Sequence, residues 1–423
     1  MTQEKKQGNV VAIIMMIILF GMISFVTGLG GPFAKVLKDQ FDAPNWMSQL
    51  GTFCNFLAYA FMGIPAGLLL KKIGYKKTAL AAILVGIVGV GIQYLAGQVS
   101  EFFVYLVGAF VAGFSMCMLN TVVNPMLNTL GGGGNRGNQL IQVGGSFNSL
   151  NATIVPVLVG YLVGANATIE SASPALFIAM GLFAVAFIVL LIANIPEPGI
   201  EAETKSDKSD KNSALSFRHF ILGAIGIFIY VGVEVGIPNF LILLGTEELK
   251  IDSSTAGSIA GTYWFLMLVG RLVGGAIGGK VSSRAMLTTV SLVGMLLVLL
   301  AIALPSAKVN MPVFMSDISF GFAEVPVGVL LLVLCGLCTS IMWGGIFNLA
   351  VEGLGKYTKM ASGIFMTLVV GGGVLPLLQG AVADMGAGGN YLASYWVVFA
   401  GLAYLLFYAL IGSKNVNKNI PVN

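Results

Sequence analysis

Glu234 is the one acidic residue of this chain set well away from any predicted membrane edge, within the apolar run 219–245. A charged side chain at that depth costs about 3 kcal/mol or more unless it is paired, hydrated or used. Four residues later Pro238 removes the backbone hydrogen bond to the Glu234 carbonyl, and Gly232 and Gly236 loosen the same turn. A carboxylate beside a freed carbonyl in a kinked helix suits a cation or a hydroxyl. The competing reading is a structural ion pair. Arg271 is the only basic residue inside another apolar run, and it falls towards one membrane face while Glu234 falls towards the other. The expectation is therefore that the two do not pair directly and that Glu234 couples an ion to transport across the bilayer. Asn239 extends the site.

Carboxamides form a second group. Asn120, Asn124 and Asn128 recur every four residues and so share one helix face. An amide both donates and accepts, which suits vicinal hydroxyls; the alternative is interhelical glue, common in membranes. Asn128 reads as glue. In the run 138–163, Gln142 and Ser146 share one face and Asn148 and Asn151 another, and only one face can line a cavity; Gln142 and Asn148 are favoured. Aromatic rings would stack on apolar C–H faces of the same ligand. Trp343, just before Gly344-Gly345, leads, with Tyr263 and Trp264 behind it. Trp46 and Trp396 fit an interfacial belt, and Asn348 joins the binding set.

Other chemistries find little support. Cys335-x-x-Cys338 has no companion pair or His within its run, so it reads as buried small apolar residues. His219 stands alone at a membrane edge, and Gly131–Arg136 lacks the Gly-Lys-Ser/Thr of a phosphate loop. Without a nucleophile, a base or a metal cluster, an integral-membrane enzyme is disfavoured. A sensor is disfavoured too, for want of a signalling domain.

These residues need long apolar elements to hold them. Hydrophobic residues make up 57% of the 423 and charged residues 9%, against about 25% charged in soluble domains. At ~20 residues per crossing, spans are predicted near 10–37, 46–70, 77–97, 102–130, 138–163, 174–195, 219–245, 254–279, 285–304, 326–354, 360–384 and 391–412. The runs lack in–out alternation, so strands are not expected. With the N-terminus cytoplasmic, Lys35, Lys38, Lys250 and Lys308 fall outside and Arg271 within a span, while every other Lys and Arg falls inside. That bias orients both termini to the cytoplasm. No basic stripe suggests nucleic acid. The first run is too long for a cleaved signal. A charged, Ser-rich stretch over 196–217 reads as a cytoplasmic linker between halves 1–195 and 218–423. A shift of 224 matches Asn124 with Asn348 and Gly131 with Gly355; a shift of 220 matches Pro156 with Pro376 and Gly160 with Gly380. Two like-oriented repeats place a transport site between them near the midplane.

Several stretches together carry a family resemblance: IPAGLLLKKIGYKK (64–77), LNTVVNPMLNTLG (119–131), SFNSLNA (146–152), YVGVEVG (230–236), GRLVGG (270–275), SIMWGGIFNLAVEGLG (340–355) and GGGVLPLLQGAVAD (371–384). The chain resembles the major facilitator superfamily, within it the fucose–proton symporter group that includes bacterial glucose/galactose permeases. The resemblance implies an all-α integral membrane protein with 12 transmembrane helices in two six-helix bundles that rock around a central sugar site. In GRLVGG it implies a gating role for Arg271, bracing the cytoplasmic side; Lys71, where the superfamily loop usually carries an acid, reads as a latch. The symporters' carboxylates in the first and fourth spans fall here on Gly28 and Asn120, which cannot titrate. Glu234 matches a glutamate of the glucose/galactose branch.

The resulting expectation is a secondary active transporter of the bacterial inner membrane, monomeric, multi-pass and free of cofactors. It imports a neutral hexose-type sugar by alternating access, coupled to Na+ or H+ through Glu234. The alternative is a uniporter in which Glu234 only binds hydroxyls.

Overall fold

The computed structural model describes residues 3–131, 134–163, 167–193, 195–197, 212–277, 280–304, 307–315, 319–385, 390–417 and 419–421. Eleven stretches among them are long and apolar enough to cross a membrane. One, α4 (Leu50–Val99), reverses at Gly74, whose φ of 83° and ψ of 175° are non-helical. Splitting it there yields the twelve crossings expected. A positive φ at this turn suits glycine, which has no Cβ to clash. The turn is fastened by Glu197, whose carboxylate accepts the N–H groups of Tyr75 at 2.7 Å and Lys76 at 3.0 Å.

The other helices follow in order. Before the linker come α1 (Gln3–Gly28), α2 (Gly30–Phe41), the short α3 (Asn45–Ser48), α5 (Phe102–Leu130), α6 (Gly134–Val163) and α7 (Ile169–Ile192). After it come α8 (Arg218–Leu243), prolonged by a wide turn over Leu244–Glu248, then α9 (Ser253–Ile277) and α10 (Ser283–Ala303). The chain ends with α11 (Val327–Thr339), α12 (Met342–Val351), α13 (Thr358–Leu368), α14 (Gly371–Ala383) and α15 (Tyr395–Phe407). The stretch 198–211 of the expected linker lies outside the described residues. Its far end is held where the Arg218 N–H donates to Asn417 Oδ1 at 3.0 Å.

Four predicted spans are interrupted, the second only near its start, where Gln49 separates α3 from α4. The first breaks at Leu29 between α1 and α2, where Pro32 withholds the N–H that would bond Gly28. The tenth breaks between α11 and α12, and the eleventh between α13 and α14, just before Gly371-Gly372-Gly373. Interrupted helices of this kind free backbone groups next to transport pathways.

The expectation of no strands fails in one place. Lys308–Phe314 (β1) and Phe320–Pro326 (β2) form an antiparallel hairpin between α10 and α11, pairing Met311 with Ala323 and Pro312 with Phe322. These residues alternate with period two, which favours a strand; they lie between the apolar runs, so the helical pattern did not extend over them.

Candidate functional site

Glu234 lies mid-way along α8, a helix buried over most of its circumference. The expectation that it avoids Arg271 is overturned: Arg271 Nη2 stands 3.3 Å from Glu234 Oε1, the side chains 16% and 13% exposed. The reason is the length of the arginine. Counted from the turn that joins the antiparallel α8 and α9, Glu234 is about 15 residues along and Arg271 about 19, a rise of only ~6 Å at 1.5 Å per residue. The extended Arg271 side chain covers that difference, and a carboxylate at this depth is offset by a cation within reach.

Arg271 does not stop at its own half. Its Nη1 donates to the Gly145 carbonyl at 2.9 Å and to Ser149 Oγ at 2.7 Å, both on α6. One guanidinium thus ties α8 and α9 to α6. Tyr263, expected behind Trp343 near a span end, is instead fully buried; its hydroxyl donates to the Glu234 carbonyl at 3.2 Å and meets Thr339 Oγ1 at 2.9 Å. That bond reaches the carbonyl which Pro238 leaves free of its usual helical partner. Tyr230, one turn before Glu234, packs edge-on against Trp343, ring centroids 6.3 Å apart.

The other expected residues divide. Trp264 is half-buried and packs edge-on against Tyr263. Asn348 is exposed on α12, one turn from Gly344, beside which nothing is packed. Asn120 donates to the Tyr59 hydroxyl at 2.9 Å, and Asn124 donates to the Asn120 carbonyl at 3.2 Å, so this face of α5 is bonded within its own half. Asn148 donates to the Phe20 carbonyl at 2.9 Å and fastens α6 to α1. Asn239 does not extend the Glu234 site; buried, it donates to Gln49 Oε1 at 3.1 Å across the halves. Lys71 is exposed on α4 ahead of the Gly74 reversal. The side chains of Gln142 and Asn128 lie outside the described residues. Cys335 and Cys338 are free and buried in α11.

Sequence reasoning missed Ser149, Thr339, Tyr230 and Gln49. Tyr230 alone carried a signal, standing four residues before Glu234 and hence on its face.

Asn239 belongs to a closed end. There Lys35 Nζ lies 2.7 Å and Lys38 Nζ 3.5 Å from the Glu247 carboxylate. Asp384 accepts the backbone N–H groups of Asn45 at 3.0 Å and Trp46 at 2.9 Å. Gly160 packs on Ser253 and Gly257, and Gly380 on Asn45 and Trp46, so tightly that a Cβ would collide. These contacts join the two halves at one end, and the Glu234–Arg271 pair lies deeper along the same seam.

A family model described as Major Facilitator Superfamily matches residues 13–376. A glucose/galactose transporter of Brucella abortus is 32% identical, covering 98% of this chain and 97% of that protein. The L-fucose-proton symporter of Escherichia coli is 24% identical, covering 95% and 92%. Among solved structures, the transporter FucP in its outward conformation superposes with a TM-score of 0.69 at 19% identity, covering 96% of this chain and 100% of FucP.

Proposed function

We propose that this chain, which belongs to the Major Facilitator Superfamily, is a secondary active transporter that imports a neutral hexose-type sugar by alternating access, driven by Na+ or H+ acting at Glu234. The sugar class is supported by the likeness to glucose/galactose transporters along nearly the whole chain. The mechanism rests on one observation: the guanidinium that neutralises Glu234 also holds the opposite half through Gly145 and Ser149.

A proton on Glu234, or a Na+ ion beside it, weakens the attraction to Arg271. The bonds from Arg271 to Gly145 and Ser149 on α6 remain, but the guanidinium loses the carboxylate partner that fixes its position, and the cation is left without its neutralising charge. Ion binding thereby biases the two halves, 1–195 and 218–423, between their arrangements. The half-exposed ring of Trp343, with Trp264, Asn120, Asn124, Asn148, Gln142 and Asn348, supplies the stacking surface and hydroxyl partners for the sugar. With the N-terminus cytoplasmic, the closed end faces outward. The protein sits in the bacterial inner membrane and acts as a monomer.

A second reading, a uniporter, is favoured by the saturation of Arg271: with three acceptors it serves as a fixed tie, and Glu234 neutralises it permanently. Uptake into proteoliposomes separates the two. Glu234→Gln is expected to abolish accumulation driven by an ion gradient while sparing sugar exchange. Wild-type uptake insensitive to collapse of both Na+ and H+ gradients would establish the uniporter instead.

A further inference from the structure

Beside the Glu234–Arg271 pair lies a buried polar group to which the transport cycle gives no task, the hydroxyl of Tyr230. The residue is fully buried on α8, and among the described residues its Oη atom finds no hydrogen-bond partner. Glu234 follows four residues later, on the same helix face. The hydroxyl and the carboxyl group are close enough to interact electrostatically, yet no hydrogen bond joins them.

A hydroxyl enclosed without a partner is destabilising, and few native groups are left so. The neighbouring groups show why this one is. Arg271 directs Nη2 to Glu234 Oε1 and Nη1 to Gly145 and Ser149. Tyr263 uses its hydroxyl on the Glu234 carbonyl and Thr339. Both are committed, and the carboxylate is drawn to the guanidinium, so Tyr230 stays unbonded in this arrangement of the halves.

Two of the three acceptors of Arg271 belong to α6, in the opposite half. Those bonds last only while the halves sit as they do here, and ion binding at Glu234 weakens the third. A carboxyl group released from Arg271 then needs a partner on its own helix. Tyrosine suits both of its forms, because a phenolic hydroxyl can donate to a carboxylate or accept from a carboxylic acid. The same ring meets the sugar platform: Tyr230 packs edge-on against Trp343, the planes inclined by 64°.

We propose that Tyr230 is the second partner of Glu234, a positioning residue that takes the carboxyl group when Arg271 releases it and, through Trp343, ties that exchange to the presence of sugar. This role rests on the reading that an ion acts at Glu234. Phenylalanine would keep the ring and its contact with Trp343 and lose only the oxygen.

Tyr230→Phe in proteoliposomes tests this with labelled D-glucose and D-galactose, probes chosen from the likeness to glucose/galactose transporters. Wild-type protein and variant are compared for exchange at equilibrium and for accumulation driven by imposed Na+ and H+ gradients. The variant is expected to exchange sugar and to lose accumulation. A packing or binding defect would instead remove both, and that result overturns the proposal. Accumulation equal to wild type would overturn the role of Tyr230 alone, with Glu234 remaining the ion site. Wild-type uptake that is absent, or insensitive to both gradients, would overturn the coupled reading itself and the role of Tyr230 with it. The thermal unfolding midpoint is a second test. Deleting an unpaired buried hydroxyl is expected to leave it unchanged or raised; a lowered midpoint would show that the hydroxyl is already bonded in this arrangement, and the proposal would fall.

Discussion

At the scale of single residues, the Glu234–Arg271 pair makes the two side chains interdependent. Breaking a fully buried pair from one side costs ~3–5 kcal/mol because the surviving charge is stranded; partial exposure of both groups puts the cost here at or below that range. Arg271→Met is therefore expected to lower the thermal unfolding midpoint of the purified protein. Combining it with Glu234→Gln should restore part of the loss, since neither charge is then left alone. Equal midpoints for the single and double variants would show that the pair adds nothing to stability. Glu234 was legible in the sequence because a lone acid in an apolar run violates its surroundings. Ser149 was not, because a serine in a span packs readily as a small residue and gains its meaning only when a guanidinium from another helix is set against it. The pairing itself was missed because depth was judged from helix positions alone, without the ~6 Å that the long side chain of Arg271 covers.

At the scale of elements, the closed end is built from small residues that let backbones meet. Gly160 and Gly257 bring α6 against α9, and a methyl on Gly257 would strike the Pro156 carbonyl. Gly257→Ala is expected to destabilise this closed arrangement. The measurement is the rate at which a cysteine at the buried Thr52 reacts with a water-soluble maleimide applied from the closed side: faster reaction supports the argument, and an unchanged rate would show that α6 and α9 yield without separating. The duplicated pattern was legible here. Gly160 and Gly380, matched in the sequence at a shift of 220, both meet backbone of the opposite half, one on α9 and the other on α3. The breaks in the first, tenth and eleventh spans were not legible, because apolar composition continues through them while the hydrogen-bond ladder does not. The hairpin escaped for the opposite reason, its alternation falling between the runs that define the spans.

At the scale of the whole molecule, the halves meet through a closed end and a deep strut, and neither set of bonds passes through the connector. Each end of that connector is separately fastened: Glu197 to the Tyr75–Lys76 backbone before it, and the Arg218 N–H to Asn417 after it. The chain between, residues 198–211, spans up to ~48 Å when extended, too long a leash to dictate how the halves sit. Covalent continuity is then dispensable for assembly. Two polypeptides, one ending after Glu197 and extended by a few linker residues and one beginning shortly before Arg218, are expected to co-purify when produced in the same cell and to transport sugar together. Failure of the separately made halves to associate would mean that the connector is needed to bring them together, so that each half on its own cannot find the other in the plane of the membrane.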